Sequence, residues 1–296
     1  MTKKDSLKIL FIINPGAGSR TVNWTIEIAN YFAPLNHTFQ LYHLSRSTTV
    51  ETIKEKIKLF TPDQVVAVGG DGTIKLVTEC LLNTPIPLGI LPAGSANGLA
   101  KELGISEIPQ KAIDILLAGY TKKIHLTDIN GHLCIHLSDI GLNAYAMKEF
   151  ETRGSRGMWG YFLASLKVLW QNPTLQVQMQ IEGKKIKITA AMIVIANGTM
   201  YGTGALINPI GHLDDKVFEV IAVKKVSFRE IFKMVFTHEP YDSDKTEIFQ
   251  TNALSIRSRR KVHFQVDGEY LGKVKEINAA IIPNALHIIV PQNGVQ

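Results

Sequence analysis

The sequence predicts an α/β domain built on a parallel sheet, followed by a mainly antiparallel β-sandwich. Three observations carry that prediction. Over the first 125 residues, short apolar runs rich in β-branched residues alternate with amphipathic stretches of helical spacing. Glycine-rich loops close three of those runs. After about residue 126 the apolar period changes to two, the signature of strands with one buried face. A chain of 296 residues is comfortable for two domains, 1–125 and 126–282, with 283–296 returning to the first.

In order along the chain, Leu7–Ile13 reads as a buried strand and 14–19 as a loop, with a helix over Val22–Phe32. Phe39–Leu44 is a second strand and Val50–Leu59 a second helix. Gln64–Val68 is short, apolar and β-branched, as in parallel sheets buried on both faces. The turn Gly69-Gly70-Asp71-Gly72-Thr73 ends it, and Ile74–Leu82 resumes helical spacing. Leu88–Pro92 is a further strand, and the loop 93–98 opens a helix through Leu103. In the second half, Leu175, Val177, Met179 and Ile181 alternate with three glutamines, Glu182-Gly183 turns the chain, and Ile186 and Ile188 continue the alternation. Strands follow over 190–195, 217–223, 262–266 and 286–290, with helices over Met158–Trp170 and Phe228–Phe236.

Composition narrows the class. Hydrophobic residues make up 45% and charged residues 20%, ordinary for a folded globular chain. No apolar run approaches the roughly 20 residues that span a bilayer, and the N-terminus lacks a signal-like stretch, so a cytoplasmic chain is expected. Two cysteines, Cys80 and Cys134, each within an apolar stretch, read as buried thiols. The net charge of +6 suits anionic headgroups or a polyphosphate. The basic clusters are short and lack interleaved stacking aromatics, which argues against nucleic acid.

Ligands of open parallel sheets bind beyond the carboxyl ends of the strands, where the loops 14–20, 69–73 and 93–98 leave. Successive N–H groups in such loops converge on anions, and the helices that follow add a favourable dipole. Neither Gly-x-x-x-x-Gly-Lys-Ser/Thr nor, after the first strand, Gly-x-Gly-x-x-Gly is present, so a P-loop and the usual dinucleotide site are excluded. A carboxylate at Asp71, inside a phosphate-binding turn, implies an intervening Mg²⁺ unless it only caps the following helix. Late in the chain, Val262–Val266 delivers Asp267-Gly268-Glu269. If that turn faces the phosphate loops, Asp267 can take a proton from an attacking hydroxyl and Glu269 can help to hold Mg²⁺.

Gly69-Gly70-Asp71-Gly72-Thr73, Pro92-Ala93-Gly94-Ser95-Ala96-Asn97 and Val266-Asp267-Gly268-Glu269 stand in the same order as in the diacylglycerol kinase catalytic-domain family, which this chain resembles. Asn14-Pro15 with Gly16 and Gly18, and Asn197-Gly198 through Pro209, extend the resemblance over essentially the whole chain. The family includes diacylglycerol, phosphatidylglycerol, sphingosine and ceramide kinases. The resemblance implies an NAD kinase/diacylglycerol kinase-like fold, with ATP in the cleft between the two domains. Asn14, Pro15, Gly18, Arg20, Thr48, Gly69, Gly70, Gly72, Thr73, Gly94, Ser95 and Asn97 would hold the nucleotide, helped by Arg153, Arg156 and Gly268. Asp267 would be the general base, assisted by Glu269, and Asp71 would act through Mg²⁺. The acceptor would be a diacylglycerol- or sphingosine-like lipid, met by transient docking on anionic membrane; a homodimer is left open. Leu142, Tyr145, Met147, Trp159 and Tyr161 read as either an acceptor pocket or core.

Three departures from the family pattern bear on substrate and metal. Gly98 stands where many bacterial members have aspartate, and Asn143 where the family has the aspartate of Gly-x-Gly-Phe-Asp, with Asp139 nearby. Asp214-Asp215-Lys216 replaces an Asp-Asp-Gly that holds a structural Mg²⁺ in some members, so Asp214 and Asp215 are the candidate ligands. NAD kinase, which shares the glycine turn, normally carries an Asn-Glu pair that this chain lacks. A non-catalytic nucleotide or lipid sensor of the same fold is the remaining alternative.

Overall fold

The structure, a computed structural model, describes residues 6–18, 22–153, 174–201, 205–227, 229–230 and 241–292. The helix expected over 158–170 lies outside these residues, as does that over 228–236 apart from 229–230. The chain divides into two compact units, residues 1–124 with 284–296, and residues 125–283.

The first unit runs β1 (Lys8–Ile13), α1 (Trp24–Phe32), β2 (Thr38–His43), α2 (Val50–Phe60), β3 (Gln64–Gly69), α3 (Asp71–Leu81), β4 (Leu88–Pro92), α4 (Gly98–Glu102) and α5 (Pro109–Ala118). Its strands pair in parallel in the order β4-β3-β1-β2, with Ile13 opposite Val68 and Gly69 opposite Pro92. Every residue of β3 is buried, which explains its unbroken apolar run. Side chains cap the starts of α1 and α2. Asn23 accepts the Ile26 N–H, Thr49 accepts that of Thr52, and Pro109 opens α5. Phe11 and Val66 pack with Trp24 and Phe32 of α1 and Ile113 of α5. Each such side chain contributes roughly 1.5–3 kcal/mol on burial. The C-terminal segment joins this unit: Ile288 pairs with Leu88, and the Val290 N–H donates to the Tyr120 carbonyl at 3.0 Å.

The second unit contains β5 (Thr121–Ile129, entering from the first unit), β6 (His132–Cys134), β7 (Leu137–Gly141), α6 (Leu142–Arg153), β8 (Leu175–Ile181) and β9 (Lys184–Ala190). It continues with β10 (Met192–Ala196), β11 (Met200–Tyr201), β12 (Ala205–Leu206), β13 (Phe218–Val223), β14 (Thr246–Thr251), β15 (Ala253–Val266) and β16 (Glu269–Ile289). Antiparallel pairing gives one layer ordered β14-β13-β10-β7-β15 and another ordered β9-β8-β15-β16. β15 serves both. Residues 254–258 pair with β8 and 264–266 with β7, and the register shifts between them let the strand change layer. Val177 and Met179 of β8 meet Ile193, Val220 and Phe264 in the core between the layers. Leu142 and Ala146 of α6 pack with Val194 and Ile221 in a second apolar cluster. Three two-residue hairpins, Asn130-Gly131, Glu182-Gly183 and Asp267-Gly268, place both central residues at positive φ, the geometry that fits the twist of paired strands.

Candidate active site

In the first unit, the three glycine-rich loops are packed backbone against backbone. A Cβ added at Gly94 would lie 2.5 Å from the Gly70 Cα, and one at Gly18 would run into the Ala93 carbonyl oxygen. Gly18 also sits at φ +58°, so a side chain there would be strained as well as crowded. The loops are tied by side chains. Asn14 Nδ2 donates to Thr73 Oγ1 at 3.1 Å, and Asn14 Oδ1 accepts the Gly16 N–H at 3.0 Å. Around this junction lies a pocket of about 260 Å³ lined by Asn14, Ala17, Leu44, Gly70, Gly72, Thr73, Leu76 and Gly94. The first turn of α3 reaches that lining through Gly72 and Thr73, while the Thr73 and Ile74 N–H groups donate to the Gly70 carbonyl at 2.9 and 3.1 Å.

Two residues read as ligand-binding do structural work. Asn97, 4% exposed and at φ +53°, accepts the Gly94 N–H at 2.8 Å. Its amide donates to the Gly94 carbonyl and to Glu107 Oε1, so both hydrogens are used in shaping the loop. Asp71 caps α4 rather than the helix that follows it. Its oxygens accept the Gly98 N–H at 3.0 Å and the Leu99 N–H at 3.1 Å. Thr48 Oγ1 accepts the Ser45 N–H at 3.0 Å, which closes the loop after the pocket-lining Leu44. Pro15 and Ser95 are exposed on their loops. Arg20 and Arg156 lie outside the described residues, and Arg153 ends α6.

In the second unit, Asp267 is the first central residue of the β15–β16 hairpin, at φ +48°. Its carboxylate accepts the N–H groups of Ile135 (2.9 Å), His136 (3.0 Å) and Leu137 (3.2 Å), with Cys134 Sγ at 3.6 Å. Its own N–H donates to the Leu137 carbonyl at 2.9 Å. Gly268 follows it in the turn, and Glu269 is exposed at the start of β16, opposite Val266. On the neighbouring strand, Asp139 is fully buried and accepts hydrogen bonds from Asn143 Nδ2, Gln265 Nε2 and the Ala144 N–H. Asn143 is thus a donor to Asp139. Sequence reading passed over Gln265, although a glutamine between the buried Phe264 and Val266 is a signal in its own right. His263 stacks on Tyr145 with ring centroids 4.5 Å apart, and its Nδ1 lies 2.8 Å from the Tyr270 hydroxyl. Burial, then the charges of Lys273 and Lys148, lower its pKa to about 4.

Asp214 and Asp215 are exposed in the turn before β13, where Asp215 accepts the Val217 N–H at 3.2 Å. Lys216 keeps the left-handed backbone of the missing glycine, at φ +65°. Among the described residues, no group of three or more His, Cys, Asp or Glu is placed to hold a metal ion. Of the other pocket candidates, Leu142 is buried in the α6 cluster with Tyr145 packed against it, while Trp159 and Tyr161 lie outside the described residues. No described helix is long and apolar enough to cross a membrane.

Comparison with known proteins gives the context of this arrangement. The diacylglycerol kinase catalytic domain profile matches residues 8–129, and the YegS C-terminal NAD kinase beta sandwich-like domain profile matches 139–290. The chain is 26% identical over 240 residues to a probable lipid kinase YegS-like protein of Chromohalobacter salexigens, covering 78% of this chain and 77% of that one. It is 24% identical over 242 residues to a diacylglycerol kinase of Bacillus subtilis, covering 79% and 80%. Its fold matches a Bacillus anthracis diacylglycerol kinase structure with a TM-score of 0.72 at 18% identity, over 97% of this chain and 98% of that one. It also matches an Archaeoglobus fulgidus NAD kinase in complex with ATP, with a TM-score of 0.57 at 13% identity, over 96% and 94%. With both profiles in sequence order over an α/β unit and an antiparallel sandwich, the chain belongs to the diacylglycerol kinase catalytic-domain family, in its YegS-like two-domain form.

Proposed function

We propose that the protein is an ATP- and Mg²⁺-dependent kinase that transfers the γ-phosphoryl group to a lipid hydroxyl. The observation that carries this reading is the backbone-on-backbone junction of the three glycine loops around a pocket at the start of α3. Loops that approach this closely without side chains between them leave backbone N–H groups as the recognition surface, which suits phosphates. On this reading the Gly70 and Gly72 N–H groups and the Thr73 hydroxyl face the phosphates, Gly94 lines the pocket with its N–H held by Asn97, and Asn14 and Asn97 keep the loops in shape. Arg20, Arg153 and Arg156 add cationic charge.

Asp71 fits a role beside Mg²⁺. Each of its oxygens accepts one N–H, and the remaining lone pairs are open to a hydrated ion, which Mg²⁺ prefers to remain. Bound there, Mg²⁺ would neutralise phosphate charge as transfer proceeds. The residues' own task is orientation. Three backbone donors fix the Asp267 carboxylate, with His136 and Leu137 on Oδ1 and Ile135 on Oδ2, so the second lone pair of Oδ2 can take the proton of the acceptor hydroxyl. Relatives named lipid kinase and diacylglycerol kinase favour a lipid acceptor, and the +6 net charge favours transient contact with an anionic membrane surface.

The test is incubation of the purified chain with γ-labelled ATP, Mg²⁺ and separate acceptors: diacylglycerol, phosphatidylglycerol, sphingosine, ceramide and NAD. Label is expected in an organic-extractable product. Label in NADP instead, or ATP binding without transfer to any acceptor, overturns the reading.

A further inference from the structure

Asp267 occupies an unfavourable backbone conformation. A non-glycine residue at φ +48° is disfavoured relative to ordinary geometry, and three ties hold the turn. Two ties have been described: the carboxylate on the 135–137 amides and the Asp267 N–H on Leu137. The third is Gln265. Its Oε1 reaches forward to accept the Gly268 N–H at 2.8 Å, and its Nε2 donates to Asp139.

This arrangement is buried. Gln265 is 1% exposed, and Asp139 and Ser138 are 0% exposed. Gln265 and Asp139 face each other in the β15–β7 register, and Ser138 Oγ donates to the Gln265 carbonyl. Removing a carboxylate and an amide from water is costly, and an apolar pair of the same volume would usually hold two strands together at least as well. The partners also fix the polarity: Gly268 offers only a donor, and the Asp139 carboxylate accepts. Only a side chain with one acceptor and one donor end satisfies both.

We propose that Gln265, oriented by Asp139, is a positioning residue that holds the 267–268 turn, and with it the Asp267 carboxylate, in its working geometry. The role in catalysis rests on Asp267 being the base of the proposed kinase reaction; the mechanical role does not.

The experiment compares the full-length chain with Gln265→Met, Gln265→Glu and the double variant Asp139→Asn/Gln265→Glu, each first shown to melt cooperatively. Amide hydrogen exchange reads the mechanical half. In Gln265→Met, exchange at Asp267 and Gly268 should rise at least tenfold while the amides of β10 and β13 keep their protection. Turnover reads the catalytic half. There kcat should fall roughly 10- to 100-fold, as for a misplaced reacting group, with the KM for ATP unchanged. Adding Gln265→Met to Asp267→Ala should cost nothing further, because both act through one group. Gln265→Glu sets two carboxylates face to face, so its kcat should be lowest at high pH and recover as pH falls and the pair shares a proton. The double variant restores a donor opposite an acceptor once the Asn143 amide turns its oxygen toward the amide introduced at position 139, and should recover part of the lost rate.

Unchanged exchange at the turn in Gln265→Met overturns the proposal. So does faster exchange with kcat left at the wild-type value. A wild-type chain that labels no acceptor sinks the reading of Asp267 as a base, and exchange alone then decides whether Gln265 holds the turn.

Discussion

A single methyl group divides the glycines of the candidate site into two kinds. Gly94→Ala places a Cβ 2.5 Å from the Gly70 Cα, a backbone atom that can yield only by separating two loops. A Cβ at Gly72 meets nothing within 4 Å, in the first turn of a helix. Gly94→Ala should therefore cost roughly 1–3 kcal/mol, as overpacking does, and abolish ATP binding. Gly72→Ala should gain up to about 1 kcal/mol from helix propensity. Denaturant titration with calorimetry of ATP binding distinguishes them; equal effects would show that the loop junction is not the constraint. The loops were legible because glycine, asparagine and serine cluster where strands end. Their tight approach was not, since Gly18 and Ala93 lie far apart in sequence. His263 adds a pH dependence. Its folded pKa, about 4, lies below the ordinary 6.5, so unfolding takes up a proton between these values. That contribution to stability is complete above about pH 6.5 and is lost as pH falls toward 4. Melting temperatures from pH 8 to 4 should show a steeper decline for the wild type than for His263→Gln.

At the scale of elements, α4 depends on a residue that is not adjacent to it. It is five residues long, and its N-cap, Asn97, makes no side-chain cap bond. Asp71, separated by 27 residues, accepts its first N–H groups instead. Asp71→Ala should cost about 1–2 kcal/mol, as loss of an N-cap does, and speed amide exchange at Gly98 and Leu99. Exchange left unchanged would assign Asp71 to the ligand alone. A carboxylate in a glycine turn was visible in the sequence; which amides it serves depends on the fold. Other elements show the same divide. Glu182-Gly183 was readable as a turn because alternation flanks it on both sides. α6 was missed because it begins directly after β7, with no linker between Gly141 and Leu142. The basic residues Arg257, Arg259, Arg260 and Lys261 are exposed on β15, near the register shift at which that strand changes layer.

For the whole molecule, the fold class followed from a change of apolar period, since parallel strands buried on both faces and one-sided antiparallel strands demand different patterns. Harder to read was β16, whose 21 residues begin at the Asp267 hairpin in the second unit and end beside β4 in the first. Alternation along it is interrupted by Ala279-Ala280-Ile281-Ile282-Pro283, so only its last stretch stood out as a strand. Chemistry follows the same division: backbone loops in one unit and a carboxylate held by three amides in the other. Phosphoryl transfer to a lipid by wild type and Asp267→Ala, at saturating ATP and with ATP affinity measured alongside, decides whether Asp267 is the base. Asp267→Ala is expected to bind ATP as the wild type does and to transfer label at least about 100-fold more slowly, the loss expected for a general base. Transfer by Asp267→Ala at the wild-type rate would contradict it.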